Sequence, residues 1–103
     1  MRRLEKEESR QRYREIRALW NEWDPIGIAP SEGGPQDEYD SYLGPTLRLL
    51  EQSAPTDEIE KYLGYIVGEY MGLGDEGLAY CRPQEFARKL QVWFAKNWEG
   101  THV

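Results

Sequence analysis

The chain has 103 residues, of which 39% are hydrophobic and 13% aromatic, and its formal net charge is −6. This length suits one domain with a modest core, and the aromatic content is untypical of disordered chains. The lone cysteine, Cys81, excludes an intrachain disulfide and favours a reducing compartment. The charged N-terminal segment lacks the apolar core of a signal peptide, and no apolar run reaches the roughly 18 residues of a membrane span. We therefore expect a cytoplasmic protein without a membrane segment.

Charge is distributed unevenly along the chain. Residues 1–19 have a net charge of +3, residues 20–81 of −11 and residues 82–103 of +2. Nucleic-acid affinity depends largely on basic side chains that neutralise phosphates, so the acidic centre disfavours direct nucleic-acid binding. The same centre favours a basic protein as partner, because opposite charges speed association and contribute to specificity.

The first predicted helix runs through the N-terminal segment to the pair Trp20 and Trp23, with apolar residues at three- and four-residue steps. We expect residues 1–8 to fray, because Leu4 is the one apolar side chain that can dock them. A loop over residues 24–36 follows. Proline biases the preceding residue away from helix, and glycine permits a turn, so Asp24, Pro25 and Gly27 are interpreted as the residues that end the helix.

A second helix is predicted to begin near Asp37, whose side chain suits an N-cap position, with Asp40 as the acidic third residue. Tyr39 and the leucines that follow it form a broad apolar face. Pro45 interrupts the pattern, because proline lacks the amide donor that a helix interior needs. Either the helix is kinked at Pro45 or its regular part starts just before it, and we expect a kinked or irregular first turn.

The third helix shows the clearest pattern, with Thr56 or Asp57 as its cap and Gly72 at its end. Its interior contains Gly64 and Gly68, each of which costs about 1 kcal/mol relative to alanine. Two such glycines indicate close approach of another backbone, and a homodimer formed through this face is one possibility.

A loop over residues 72–82 precedes the last helix, which we predict to start at Pro83 because proline suits the first helical position. The sequence therefore predicts an all-α fold. We expect residues 1–103 to form one compact bundle of about four helices, with a long loop after the first.

Residues that carry enzymatic chemistry are scarce. His102 is the single histidine and lies near the C-terminus, where a rigid catalytic geometry is hard to maintain. Cys81 has no second thiol nearby in sequence and is interpreted as a small buried residue. We found no cofactor-binding motif or zinc ligand set, and we expect a protein that is not an enzyme and has neither metal nor cofactor.

Two clusters of carboxylates fall at predicted helix starts, where they stabilise the positive end of the helix dipole; this favours a structural role over metal binding. The clusters are Asp37, Glu38 and Asp40, followed by Asp57, Glu58 and Glu60.

Tyr65 lies on the side of the third helix opposite its apolar face. Tyrosine is enriched in protein interfaces, so Tyr65 is either an exposed contact residue or is buried where a neighbouring helix crosses the glycines.

The segments "WNEWDPIGI", "DEYDSYLGPTLRLL" and "EIEKYLGYIVGEYMGL" together resemble a group of small bacterial helical proteins that have a W-D-P-I-G stretch and a downstream D-E-Y-D. The resemblance covers residues 16–73. It implies a compact helical fold and no established activity. The matching positions are Trp23, Asp24, Pro25, Ile26, Gly27, Asp37, Glu38, Tyr39 and Asp40.

Two classes of function remain open. The first is an interaction protein, such as an inhibitor or immunity-type protein, that covers a basic partner with Asp37, Glu38, Asp40 and Tyr65. The second is a small-molecule or metal-ion binding protein, or a small enzyme, with a pocket between the WDPIG and DEYD segments and with Asp24 and Asp37 as its polar groups.

Overall fold

The computed structural model describes residues 2–25, 39–70, 72 and 81–102. Four α-helices lie in these ranges, as the sequence predicts, and a two-residue strand stands at either end. In chain order the elements are β1 (Arg2–Arg3), α1 (Lys6–Trp23), α2 (Asp40–Glu51), α3 (Thr56–Tyr65), a π-helical segment (Ile66–Tyr70), α4 (Pro83–Asn97) and β2 (Thr101–His102). The all-α prediction is confirmed. None of the described helices is long and apolar enough to cross a membrane.

The sequence predicts that residues 1–8 fray. The structure describes residues 2–8 of this segment, and they make contacts with the rest of the fold. β1 pairs in parallel with β2, so that Arg2 lies opposite Thr101. Leu4 is buried in the core, and the Glu5 amide donates a hydrogen bond of 3.2 Å to the Glu8 carboxylate at the start of α1. The prediction missed the pairing with β2 because that partner is far away in the sequence.

Trp20 lies at the centre of the bundle and is completely buried. Its indole stacks on Tyr42 of α2 and meets Phe86 of α4 edge-on, with ring centroids 5.6 Å apart in each case. The indole nitrogen of Trp20 donates a hydrogen bond of 3.3 Å to the Thr46 hydroxyl, so its polar atom is satisfied inside the core. One side chain of α1 therefore positions both α2 and α4.

Pro45 lies inside α2, five residues after its first residue, so the helix does not start its regular part at the proline. The Thr46 hydroxyl beside it donates to the Tyr42 carbonyl over 2.7 Å. The described part of the second helix begins at Asp40, and the predicted cap, Asp37, lies outside the described residues.

α3 begins at Thr56, and the residue before it is Pro55, so neither Thr56 nor Asp57 caps the helix as predicted. The Thr56 hydroxyl instead donates 2.6 Å to the side-chain oxygen of Gln91 in α4. Thr56 therefore links two helices. Gly72, the predicted end of the third helix, has a φ of +74°, a conformation typical of glycine after a helix.

A buried arginine connects the two ends of the chain with the middle. Arg12 of α1 is completely buried, and its guanidinium pairs with the carboxylate of Glu51 at the end of α2. It also donates to the Thr101 hydroxyl over 3.3 Å and lies above the Phe94 ring, 5.8 Å from its centroid. A buried charge requires such partners, because its transfer out of water is otherwise very costly.

Glu15 of α1 accepts hydrogen bonds from the indole nitrogens of Trp93 and Trp98 over 2.9 and 3.0 Å, which fixes α4 against α1. Burial raises the pKa of Glu15. Hydrogen bonds from Gln11 and both indoles, together with the charge of Arg14, lower the pKa by more than burial raises it, so the net pKa is below 4.5. These donors favour the ionised carboxylate.

We predict that Arg12→Met lowers the free energy of unfolding by about 3 kcal/mol, because Glu51 then lies at the core without its arginine. Urea denaturation measures this difference. Arg14→Met, which removes an exposed arginine from the same helix, should change it by less than about 0.5 kcal/mol. The double replacement Arg12→Met with Glu51→Leu should recover most of the loss; if it does not, the ion pair is not the source of the effect.

Because of Glu15, the free energy of unfolding should depend on pH in acidic solution. Its pKa is lower in the folded chain than in the unfolded chain, so its contribution is complete above the unfolded value of about 4.5 and disappears as pH falls through the folded value. The difference in unfolding free energy between the wild type and Glu15→Gln should therefore shrink as pH is lowered from 7 through this window. A pH-independent difference would contradict the role of the charge.

Candidate protein-binding surface

The segment after α1 is held in place by two side-chain contacts. Asp24 adopts a left-handed conformation with a φ of +45°, and its amide donates 2.9 Å to the Trp20 carbonyl. Its carboxylate accepts a hydrogen bond of 2.7 Å from the Tyr39 hydroxyl. Pro25 is buried, and its carbonyl accepts from the Cys81 thiol over 3.3 Å. The two ends of the long connection between α1 and α2 are therefore joined to each other.

Trp23 completes this arrangement. Its ring stacks on Phe86 with centroids 4.3 Å apart, and its indole nitrogen donates 2.6 Å to the Cys81 carbonyl. Trp23, Asp24, Pro25 and Tyr39, which the sequence singles out as motif residues, thus pack at one end of the bundle. Gly27 lies outside the described residues.

Two of the four predicted contact residues lie within the described ranges, on different helices. Asp37 and Glu38 lie outside the described part of the chain. Asp40 accepts two hydrogen bonds from the Arg17 guanidinium, of 3.0 and 2.6 Å, so its charge is offset by α1. Tyr65 lies on α3, and 56% of its surface is exposed, which decides between the two interpretations of this residue in favour of exposure.

A shallow groove of about 270 Å³ lies beside Trp23, at the end of the bundle where the sequence suggests a pocket. The carboxylates in its lining are paired, Glu22 with Lys89 and Glu85 with Arg82. Cys81 also lines it, and burial raises the pKa of this thiol, which favours the unreactive protonated form. Within the described ranges, no group of three or more histidine, cysteine or acidic residues could hold a metal ion.

A larger groove lies between α3 and the start of α4 and has a volume of about 850 Å³. We call it the α3 groove; it is lined by Pro55, Asp57, Glu58, Glu60, Lys61, Gly64 and Pro83. Four of these seven residues are charged, three of them acidic. Gly64 lines the groove without a side chain.

The carboxylates of the α3 groove differ from those that join helices and turns in the described part of the protein. Four described helix carboxylates pair with basic side chains of other elements or turns; these pairs are Glu22 with Lys89, Asp40 with Arg17, Glu51 with Arg12 and Glu85 with Arg82. Asp57, Glu58 and Glu60 make no ion pair with any residue that the structure describes. Their position at a helix start accounts for local stabilisation, and they remain available to an outside partner.

Tyr65 lies on the same side of α3 as Glu58, because seven residues are close to two full helical turns. Lys61 lies between them at steps of three and four. Helical spacing in the sequence already places Glu58 and Lys61 beside Tyr65. The sequence interpretation of Asp57, Glu58 and Glu60 as helix-start residues did not include a groove between α3 and the start of α4, which depends on how distant segments pack.

We predict that Tyr39→Phe lowers the free energy of unfolding by about 1 kcal/mol, because it removes the hydroxyl that donates to Asp24. Tyr65→Phe is the matched control, since Tyr65 is exposed and should change stability by less than about 0.5 kcal/mol. Thermal unfolding of the two variants tests this, and equal effects would show that the Tyr39 hydroxyl has no special role.

Comparison of the chain with protein-family models, with curated proteins and with solved structures gave no match. The resemblance to the bacterial helical proteins with W-D-P-I-G and D-E-Y-D stretches therefore stays a prediction.

Proposed function

We propose that this protein is an interaction module that binds a basic protein along the α3 groove and covers its functional surface, as an inhibitor or immunity-type protein does. The observation that carries the proposal is the cluster of Asp57, Glu58 and Glu60, which no basic side chain in the described part of the chain neutralises. The exposed ring of Tyr65 stands on the same helix.

Charge and aromatic surface have separate roles in such a contact. Unneutralised carboxylates raise the association rate with a basic surface and disfavour acidic partners. Tyr65 adds a large contact area at a small cost in side-chain entropy, which is why tyrosine is frequent among residues that dominate binding energy. Gly64 lets the partner approach the helix backbone closely.

Asp40 is a weaker candidate contact residue than the sequence alone suggests. Arg17 already occupies both carboxylate oxygens of Asp40. An incoming basic side chain would have to displace a charged, bidentate hydrogen bond, which reduces the net gain. Asp40 instead serves to hold α2 against α1.

A pocket with Asp24 as its polar group has less support. The Asp24 carboxylate accepts the Tyr39 hydroxyl at 2.7 Å and so is engaged within the fold. The groove nearest to it, beside Trp23, is small and its charges are paired. The geometry therefore favours a protein partner over a small molecule.

The test is affinity capture with the immobilised chain from an extract of the source cells, followed by elution with increasing salt. We expect a basic protein to be recovered and to elute early, because salt screens contacts between exposed charges. The variant Asp57→Lys with Glu58→Lys should lose this protein, and Tyr65→Ala should weaken its binding about tenfold or more.

The matched control is Glu7→Lys with Glu99→Lys, which changes the net charge equally at two exposed sites on α1 and after α4. This control should retain the partner. Equal losses in the two charge-reversed variants would show a nonspecific charge effect, and recovery that resists high salt would contradict an electrostatic contact.

A further inference from the structure

The outer side of α4 carries a stripe of three residues at four-residue steps, Arg88, Val92 and Lys96. Four residues are slightly more than one helical turn, so these side chains follow one another along one face. All three are exposed, and Val92 is the most exposed of the large hydrophobic residues that the structure describes, at 58%. The opposite face of α4 is buried through Phe86, Ala87, Leu90 and Phe94.

The charges of this stripe have no partner among the described residues. Other basic side chains of the same region are paired, Lys89 with Glu22 and Arg82 with Glu85. Arg88 and Lys96 are not, and they flank an apolar side chain. An acidic groove complements such a surface, because its carboxylates attract the two cations on either side of the exposed valine.

We propose that the α4 stripe of one copy docks into the α3 groove of a second copy. The stripe carries two positive charges, and the groove carries three carboxylates and one lysine, a net charge of −2. Arg88 and Lys96 are eight residues apart, as are Asp57 and Tyr65, so each surface extends about 12 Å along its helix.

The apolar parts of the two surfaces also correspond. Val92 lies midway along the stripe, and Gly64 leaves the space in the groove that this side chain fills. With Val92 over Gly64, one of the two cations lies over the carboxylates of residues 57–60, and the other lies beyond Gly64, beside the ring of Tyr65. The contact is small and largely polar, which is typical of weak, salt-sensitive association.

This contact joins two different surfaces, so each molecule keeps one free groove and one free stripe. Such head-to-tail contacts continue into rings or open chains of molecules. The α3 groove is also the surface in our proposed function, and a basic partner therefore competes with self-association. The self-association itself does not require that partner.

Sedimentation of the purified protein tests the inference. At low salt the weight-average mass should rise above the 12.1 kDa of one chain as protein concentration is raised, and it should return to that mass at about 0.5 M NaCl. Two variants should stay monomeric: the groove variant, Gly64→Arg with Tyr65→Ala, and the stripe variant, Arg88→Ala with Val92→Gln and Lys96→Ala.

Mixing the two variants gives the sharpest result. The groove variant keeps its stripe and the stripe variant keeps its groove, so the mixture should form a one-to-one complex that does not grow further. Circular dichroism checks that each variant is folded; if Gly64→Arg unfolds the chain, Glu58→Ala with Tyr65→Ala replaces it. A monomeric wild type at all concentrations, or a mixture that stays monomeric, would overturn the inference.

The stripe variant also separates the two proposals. Its α3 groove is intact, so it should capture the basic partner as the wild type does while failing to self-associate. Loss of self-association alone leaves the proposed function standing. Failure to capture any basic protein, with self-association intact, contradicts the proposed function and leaves the contact between copies.

Discussion

The complete burial of Trp20 is the constraint on which the rest of the bundle depends. Its ring is in contact with aromatic side chains of α2 and α4, and its one polar atom is satisfied by Thr46. Because interiors are close-packed, a large rigid side chain at the centre fixes the distances between the helices around it. Next to Trp20, the Tyr39 hydroxyl donates to the Asp24 carboxylate at the end of α1, and Trp23 stacks on Phe86 of α4.

Electrostatics divides the protein into two parts. Carboxylates on α1 and α2 stabilise contacts within the fold, through Glu15 to two indoles, Glu51 to Arg12 and Asp40 to Arg17. The carboxylates of α3 face outward along a groove. The net charge of a sequence cannot reveal this division, because internal and external carboxylates contribute equally to it. Among the described residues, the α3 groove brings together three carboxylates that form no ion pair.

Helix number and approximate extents could be predicted from sequence, because apolar spacing and the proline at the start of α4 act within a few residues. Contacts between distant residues could not. The pairing of β1 with β2, the Thr56 bond to Gln91 and the burial of Arg12 each join segments far apart in the chain, and local patterns contain no information on them. Tyr65 and its neighbour Glu58 could be assigned to one exposed helix face from spacing, whereas the groove that brings Asp57, Glu58 and Glu60 beside Pro83 depends on packing between distant segments.

The pairing of the chain's first strand with its last has a consequence for how the protein matures during synthesis. Arg12 and Thr101 are 89 positions apart, so β2 is synthesised long after α1. Until then the N-terminal strand has no partner, and closing so long a loop carries a substantial entropic cost. α1 and α2 can meet early through Trp20, but the contacts that enclose the guanidinium of Arg12 are completed only after Thr101 has been synthesised. The nascent chain therefore passes through a stage in which its helices are present and its buried charge is still open to water.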